Sequence, residues 1–381
     1  MSEIEIRYID HTAIPYNKRV CLYGVGKGGA ESLKLLRQIR PDLEVVFFAD
    51  TYQSGSFDGF EILTPQALAD RKDEYDLILI CSCYYPEIIT NLYSLGIESA
   101  VGFSWPKFYG YQFLPDELVS LNGEINFILK SLHSDTDRAL FKFLCEARIA
   151  GSELVDLVYV SENSGNFIFK ELKPAKIFPE HTTSSYFDFV DLSKVEYAVQ
   201  AGVYDGSEAL FLSGLKELKM LYGFEPLGYT AIAEAARSKL SDSGKFSLIP
   251  KGLWNCEALA DFAYDGSASF VKGAVDFQST GTVQLTTLTE EAGRLSIPRL
   301  DLLIADIENA EIPMLEGAME VIERDRPQLA ICFYHSKKQF TGIPLMLMNQ
   351  LKDYVFKVGH YSEGLDESVF YAIPEEKFVE K

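Results

Sequence analysis

Apolar and polar positions change rhythm along this chain at short intervals, and each change marks an element. The first stretch, "RVCLYGVG", is an apolar run closed by glycines and reads as a strand with its turn; "KGGAESLKLLRQIR" then spaces its apolar residues for one face of a helix. The alternation continues through "LEVVFFAD" (strand), "TPQALADRK" (short helix), "YDLILICS" (strand) and "PEIITNLYSLG" (helix). Strands separated by helices predict a parallel sheet with helices on its faces.

The rhythm stops near "SWPKFYGYQFLPDE", rich in aromatics and proline, and gives way to "INFILKSLHSDTDRALFKFLCEARI", apolar at helical spacing. A second series comes after "HTTSSYFDF": "VEYAVQAG" (strand), "SEALFLSGLKEL" (helix), "KMLYGFEP" (strand), "YTAIAEAARSKL" (helix) and "KFSLIPKGLW" (strand). Beyond a Gly/Ser/Thr-rich section come "TVQLTTL", "RLDLLIADIE", "AEIPMLEGAMEVIER", "PQLAICFYH", "IPLMLMNQLKDY", "YVFKVGHY" and "ESVFYAIP". The last two apolar runs have no helix between them, which predicts an antiparallel hairpin closing a mostly parallel sheet. The expected organisation is α/β: two Rossmann-like doubly wound domains, residues 1–114 and 185–381, joined by a largely helical connector at 115–184.

Composition changes this picture little. Of 381 residues, 47% are hydrophobic and 24% charged, with 26 Phe and 21 Tyr, so both halves have apolar surface enough to offset chain entropy without metal or disulfide staples. Charge removes one class of partner: a net −21 repels a phosphate backbone, so no nucleic acid is expected and a small neutral or cationic ligand fits better. Cys21, Cys81 and Cys332 fall in apolar runs and read as small buried hydrophobes, and Cys81-Ser82-Cys83 lacks the second Cys/His pair a zinc site needs. The start "MSEIEIRYIDHT" is unlike a signal peptide and no apolar run approaches the length of a membrane helix, so no membrane and a cytoplasmic location are expected.

Two glycine turns carry the candidate chemistry. In "LYGVGKGG", Gly24, Gly26 and Gly29 stand in G-x-G-x-x-G register between a strand and a helix, and Asp50 ends the next strand 21 residues after Gly29. This is the spacing of a dinucleotide turn with its ribose-binding acid, and also of a purely structural tight turn. In "AVQAGVYDGSEA", Gly202 and Gly206 flank a second turn, and Glu225 ends the following strand 23 residues beyond Gly202, where a carboxylate can accept hydrogen bonds from two ribose hydroxyls.

Asp306 and Glu308 lie where "DLLIAD" meets its helix, and His335 ends "LAICFYH"; all three are expected at the carboxyl ends of the strands, as a general base or as ligands for a hard metal, with helix capping the alternative for the two acids and a satisfied buried histidine that for His335. Trp254 in "KGLWNCE" stands where a nucleoside base could stack, or where it could simply fill the core.

"LYGVGKGG", "VVFFADTYQSGSFDGFEILTP" and "DLILICS" resemble the N-terminal nucleotide-binding-like domain of sugar-modifying proteins such as the PglD family of sugar acyltransferases. That resemblance implies a nucleotide or nucleotide-sugar ligand. The series "SSYFDFVDLSKVEYAVQAGVYDGSE", "GFEP", "TVQLTTLTE", "DLLIADIENAEIPMLEGA", "LAICFYH", "IPLMLMNQL", "HYS" and "ESVFYAIP" resembles the FkbM family of S-adenosylmethionine-dependent methyltransferases over roughly residues 185–375.

This second resemblance implies a class I methyltransferase fold with a seven-stranded sheet and O-methylation of a sugar, glycan or natural-product hydroxyl. By motif, Gly202, Tyr204, Asp205 and Gly206 fall on the cofactor turn, Glu225 on the ribose acid, Asp306 and Glu308 on the D-x-E-G-A-E segment, and His335 and His360 on histidines of later strands. Gln200, Ala305 and Asn309 stand where the family has an acid, a lysine and a glycine. The expected chemistry is methyl transfer with Asp306 or His335 as base and Glu308 orienting the acceptor. The competing readings are a catalytically degenerate binding or scaffold protein and a nicotinamide-dependent oxidoreductase.

Overall fold

The structure is a computed structural model that describes residues 4–9, 11, 13–82, 84–103, 113, 115–148, 155–160, 166–169, 185–230, 232, 234–263, 270–271, 281–361 and 366–380. Cys83, the "SWPKFYGYQFL" stretch except Phe113, and most of the Gly/Ser/Thr-rich section lie outside the described residues. The chain divides into two compact units: Met1–Ser120 with Phe143–Ala175 and Glu363–Leu365, and Leu121–Lys142 with Lys176–Ser362 and Asp366–Lys381.

The first unit has nine strands: β1 (Ile4–Ile9), β2 (Arg19–Tyr23), β3 (Glu44–Ala49), β4 (Gly55–Phe57), β5 (Phe60–Leu63), β6 (Leu77–Ile80), β7 (Ala100–Phe103), β8 (Val155–Val160) and β9 (Asn166–Phe169). They form one sheet in the order β4-β5-β3-β2-β6-β7-β1-β8-β9. The pairs β2–β3, β2–β6 and β6–β7 are parallel, as the alternating pattern requires, with helices Lys27–Ile39, Pro65–Asp70 and Tyr85–Ser94 in the crossovers.

Three departures from the sequence reading have local causes. "IEIRYI" forms β1, although its alternating charges hide it among polar residues. "SFDGF" closes a two-strand turn at Asp58 (φ 50°) and Gly59 (φ 85°), where left-handed backbone suits Asp and Gly. Within 115–184, helices Pro115–Ser120, Asn122–Ser131 and Asp135–Ala147 are joined by the antiparallel strands β8 and β9.

The second unit holds β10 (Tyr197–Ala201), β11 (Met220–Phe224), β12 (Phe246–Ile249), β13 (Gly252–Leu253), β14 (Ala258–Ala263), β15 (Phe270–Val271), β16 (Gly281–Thr286), β17 (Leu302–Ala305), β18 (Gln328–Cys332), β19 (Tyr354–His360) and β20 (Ser368–Pro374). Its main sheet runs β12-β11-β10-β17-β18-β20-β19, parallel except for β20, which pairs antiparallel with β18 and, as the closing hairpin, with β19. The seven-stranded sheet expected from the sequence is therefore present, hairpin included. "KFSLIPKGLW", read as one strand, is two: Pro250 interrupts the ladder, and β13 leaves for a separate four-stranded sheet, β13-β16-β14-β15.

The sheet is built to aim its strand ends. The buried Asp301 carboxylate accepts from the Glu196 and Tyr197 backbone N–H groups, both at 3.0 Å, locking the starts of β10 and β17 together. From that anchor Gln200 pairs with Ile304 and Ala201 with Ala305, so the two strands deliver their last residues side by side. Cys21, Cys81 and Cys332 are buried and unbridged, and burial pushes the Cys81 thiol up to about 12.

Candidate active site

β10 ends in the turn 202–206, and backbone packing explains its glycines. Gly202 has φ +79°, and a Cβ there would stand 2.2 Å from the Asp306 carbonyl oxygen; Gly206, φ +86°, would press a Cβ on Ile232 at 3.0 Å. Only glycine meets both demands at Gly202. The Gly202 N–H continues the ladder to Phe224 O (2.9 Å), which sets Glu225 beside the turn.

Glu225 is buried, and its carboxylate accepts from the N–H groups of Leu227 (3.1 Å), Val203 (3.3 Å) and Tyr204 (3.4 Å). Burial raises its pKa, and the three N–H contacts only partly oppose that. The two longer contacts leave this carboxylate able to exchange backbone donors for ligand hydroxyls.

An open cleft runs past this turn. Gly202, Tyr204, Glu225, Asp306 and Glu308 line it, with Leu227, Leu253, Phe262 and Val271 as an apolar wall from the small sheet and its approaches. The structure thus brings together five of the ten residues expected at the site. Asp205 is exposed and accepts from Ser207 N–H (3.0 Å) just before the following helix, whose N-cap is Gly206. Trp254 packs against the cluster of Phe262, Val271, Val283 and Leu285. Gln200, 3% exposed, donates from Nε2 to Gly202 O (3.1 Å) and leaves Oε1 without a hydrogen-bond partner. His360 is buried within the hairpin, its Nδ1 2.8 Å from Ser368 Oγ.

At the floor of the cleft, Asp306 Oδ2 accepts from Tyr186 OH (2.8 Å) and Tyr334 OH (3.4 Å), while Oδ1 lies 3.2 Å from His335 Nε2. The other ring nitrogen, Nδ1, lies 3.0 Å from Glu311 Oε1. Burial works against charge on both partners, but each stabilises the other's ion. His335 is held well above its usual pKa by the Glu311 carboxylate, by Asp306 and by the Glu308 charge; Asp306 is held below its own by His335 and the Tyr186 hydroxyl. Asp306, Glu311 and His335 each offer one donor atom within 4.8 Å of the others, a spacing a divalent cation could bridge.

The turn between β17 and its helix is left-handed at two successive residues, Glu308 (φ 52°) and Asn309 (φ 75°). Asn is the residue after glycine that best tolerates this conformation, and the Asn309 Nδ2 donates to His335 O at 3.1 Å. Ala305 is 1% exposed in β17.

Glu311, Tyr186, Tyr334 and Glu367 belong to this constellation and were not singled out from the sequence. Glu311 is the last acid of "DIENAE", so its motif position was the available signal; Tyr186 reaches Asp306 across 120 residues of chain and gave none. Glu367, just before β20, has its pKa pushed up to about 8 by burial and by the charges of Asp306 and Asp366.

Residues 200–358 match the family described as "Methyltransferase FkbM domain". The C-terminal unit carries an FkbM methyltransferase domain. Across 94% of this chain and 90% of the other, the structure superposes on the FkbM methyltransferase of Methylobacillus flagellatus KT at 15% identity and a TM-score of 0.59, a likeness that speaks for the fold. UDP-D-quinovosamine 4-dehydrogenase from Vibrio fischeri (22% identity, 28% of this chain, 86% of that one, TM-score 0.20) and an rRNA methylase from Streptococcus thermophilus (17%, 49%, 89%, TM-score 0.29) match smaller parts of the chain. Among curated protein sequences none matches. Residues 16–100 match the "C2185-like, N-terminal" family, where the sequence resemblance had pointed to sugar acyltransferases.

The first unit shows the same turn grammar without the same surroundings. Gly24 (φ +106°) donates to Ala49 O at 2.7 Å, and a Cβ on Gly29 would lie 1.9 Å from Gly24 O; Gly26 caps the helix through its backbone alone. Asp50 accepts from Val25 N–H (3.2 Å) but also from Tyr52 (2.9 Å) and Gln53 (3.1 Å) just after it. The neighbouring strand β6 runs into Cys81 and Ser82, whereas β17 runs into Asp306. No helix among the described residues is long and apolar enough to cross a membrane.

Proposed function

We propose that the FkbM domain is an S-adenosylmethionine-dependent O-methyltransferase acting on a hydroxyl of a sugar, glycan or natural product. The observation that carries this reading is the single cleft wall on which the Gly202 turn, the Glu225 carboxylate and the Asp306–Glu308 turn meet. The residues fit the cofactor: a glycine cradle closed to any Cβ, a buried carboxylate whose backbone contacts are long enough to exchange for ribose hydroxyls, and an apolar wall suited to a base. When bound, S-adenosylmethionine supplies a methyl group already activated on a sulfonium.

The chain's own contribution is then alignment and one proton. Asp306 lines the cleft and takes the acceptor's hydroxyl proton on a carboxylate oxygen; His335 is buried behind it, off the cleft wall, with Nε2 3.2 Å from Asp306 Oδ1. Of the two bases expected from the sequence, Asp306 or His335, we propose Asp306. Positioning supplies most of the acceleration and the base roughly 10²–10⁴-fold.

The test is transfer of isotope-labelled methyl from S-adenosylmethionine into a panel of hydroxylated sugars, with calorimetric Kd values for S-adenosylmethionine, S-adenosylhomocysteine and NAD. Tight binding of the first two and labelled product are expected. Binding without transfer to any acceptor would favour the scaffold reading, and NAD binding in their place would sink the proposal.

A further inference from the structure

We infer that Asp306, Glu311 and His335 form a binding site for one divalent cation of the Mg²⁺ or Mn²⁺ kind, set behind the cleft wall of the FkbM domain. The inference goes beyond the methyl-transfer reading and does not rest on it, because occupancy is measured without an acceptor.

The donors come from two neighbouring strand ends. Asp306 follows β17, Glu311 opens the helix Glu311–Asp325 that comes after it, and His335 stands shortly after β18, which pairs in parallel with β17. One donor atom of each residue lies within 4.8 Å of the others. Asp306 Oδ1 is 3.2 Å from His335 Nε2, and Glu311 Oε1 is 3.0 Å from Nδ1. Around an octahedral cation with bonds of about 2.1 Å, ligands stand about 3 Å apart when adjacent and about 4.2 Å when opposite, so a contraction of under about 1 Å closes the trio on one ion.

A second observation is independent of that spacing: among the described residues, the polar atoms here lack hydrogen-bond partners. His335 is 3% exposed, and neither ring nitrogen makes a hydrogen bond although each has a carboxylate oxygen close by. The oxygens therefore lie off the directions in which the ring donates or accepts. Neighbouring ligands stand in that way, each pointing at the shared ion and not at the other. Glu311 is 0% exposed; its Oε1 accepts from Ile307 N–H at 2.9 Å, while Oε2 accepts from nothing. A buried carboxylate oxygen without a donor is costly, and a metal ion is a partner that needs no hydrogen. Asp306 is divided likewise: Oδ2 takes the hydroxyls of Tyr186 and Tyr334, and Oδ1 is turned to the ring.

Charge favours the same occupant. Carboxylate oxygens of Asp306, Glu308 and Glu311 all come within 3.7 Å of one imidazole, which can offset a single negative charge at most. Two carboxylates with one imidazole make a mainly oxygen set, which suits Mg²⁺ or Mn²⁺ over softer metals. Asp306 also lines the cleft, so positions of the ion that the protein leaves open are reached from there, where a Lewis acid can hold an oxygen ligand.

The experiment uses the full chain, stripped with chelator and labelled with ¹⁵N-histidine, with Mn²⁺ alone as the probe. Wild type is expected to bind one Mn²⁺ per chain by calorimetry and to show a ¹⁵N coupling from a single imidazole in the pulsed electron paramagnetic resonance of the bound ion. Asp306→Asn, Glu311→Gln and His335→Gln should each weaken Mn²⁺ by about 100-fold or more, and His335→Gln should also erase the nitrogen coupling. Glu320→Gln, at an exposed acid of the same helix, should leave the affinity within about twofold.

The competing outcome is weak binding spread over the surface of a chain with net charge −21. Absence of stoichiometric binding, bound Mn²⁺ without a ¹⁵N coupling, or affinity that none of the three site variants weakens would overturn the inference. The nitrogen coupling is read on wild type, so it decides the matter should the variants fail to fold.

Discussion

Two glycine turns of the same design end in different places. In each unit a strand closes on a glycine with positive φ, that glycine's N–H bonds to the end of the neighbouring strand, and the acid just beyond accepts from the turn's own backbone. Around Gly24 the acid, Asp50, turns two of its three bonds on residues immediately after itself, and β6 leads into Cys81 and Ser82. Around Gly202 the acid, Glu225, looks into a cleft, and β17 delivers Asp306, Glu308 and, one turn on, Glu311 around His335. The two turns share a backbone design; what differs is the set of side chains that the adjacent strand brings beside each.

The sharpest way to break this comparison is at the glycines. Gly202→Ala would force a methyl into the Asp306 carbonyl on left-handed backbone, so S-adenosylhomocysteine affinity should fall by about 100-fold or more. Gly29→Ala meets a carbonyl closer still, at 1.9 Å, and should cost on the order of 3 kcal/mol of stability in thermal unfolding while leaving that affinity within about twofold. Equal losses of affinity in both would mean that the two turns serve one site.

The acids come next. Glu225→Gln should weaken S-adenosylhomocysteine about 10- to 30-fold by calorimetry, the loss of a charged acceptor, whereas Asp50→Asn should leave it within about twofold. Because burial raises the Glu225 pKa, affinity in the wild type should begin to fall on acidification at a higher pH than an ordinary glutamate would cause, and Glu225→Gln should flatten that dependence.

Glu367 offers a smaller effect with a defined sign. Its folded pKa of about 8 lies above the ordinary 4.5, so unfolding releases a proton between those values and the group's contribution to stability declines as pH rises through that window. Glu367→Gln, which fixes the neutral form, should therefore gain stability relative to wild type between pH 6 and pH 9 in denaturant titrations; a constant difference across that range would count against the burial of this carboxyl.

The smallest effect is expected at Gln200. An aspartate there would bring negative charge toward the cofactor's methionine end but forfeit the Nε2 bond to Gly202 O, so Gln200→Asp should tighten S-adenosylmethionine by no more than about threefold. Unchanged or weaker binding would show that the buried amide, and not a missing charge, is what this position needs.

Periodicity made the seven strands of the C-terminal sheet and the closing hairpin legible, because strands buried on both faces read as continuous apolar runs. It also gave the glycines and Glu225, whose spacing is set by one strand, one turn and one helix. It failed where the cue is not local. β1 carries alternating charge, and β13 leaves the main sheet at Pro250 under a pattern that looks like one strand. Nor does periodicity say which way a motif side chain turns: Asp205 bonds Ser207 N–H, and Trp254 packs on the cluster that gives Phe262 and Val271 to the cleft wall.

The sequence by itself determined two glycine turns, the acids that come after them and the order of the strands, since each depends on residues within about thirty positions of one another. Tertiary structure alone decided that Tyr186, Tyr334 and Glu311 gather around Asp306 and His335, and that the Gly202 turn, Glu225 and Asp306 line one cleft. Those outcomes come from parallel strands ending side by side, which places residues far apart in the chain within hydrogen-bond reach and lets burial and charge act on them together.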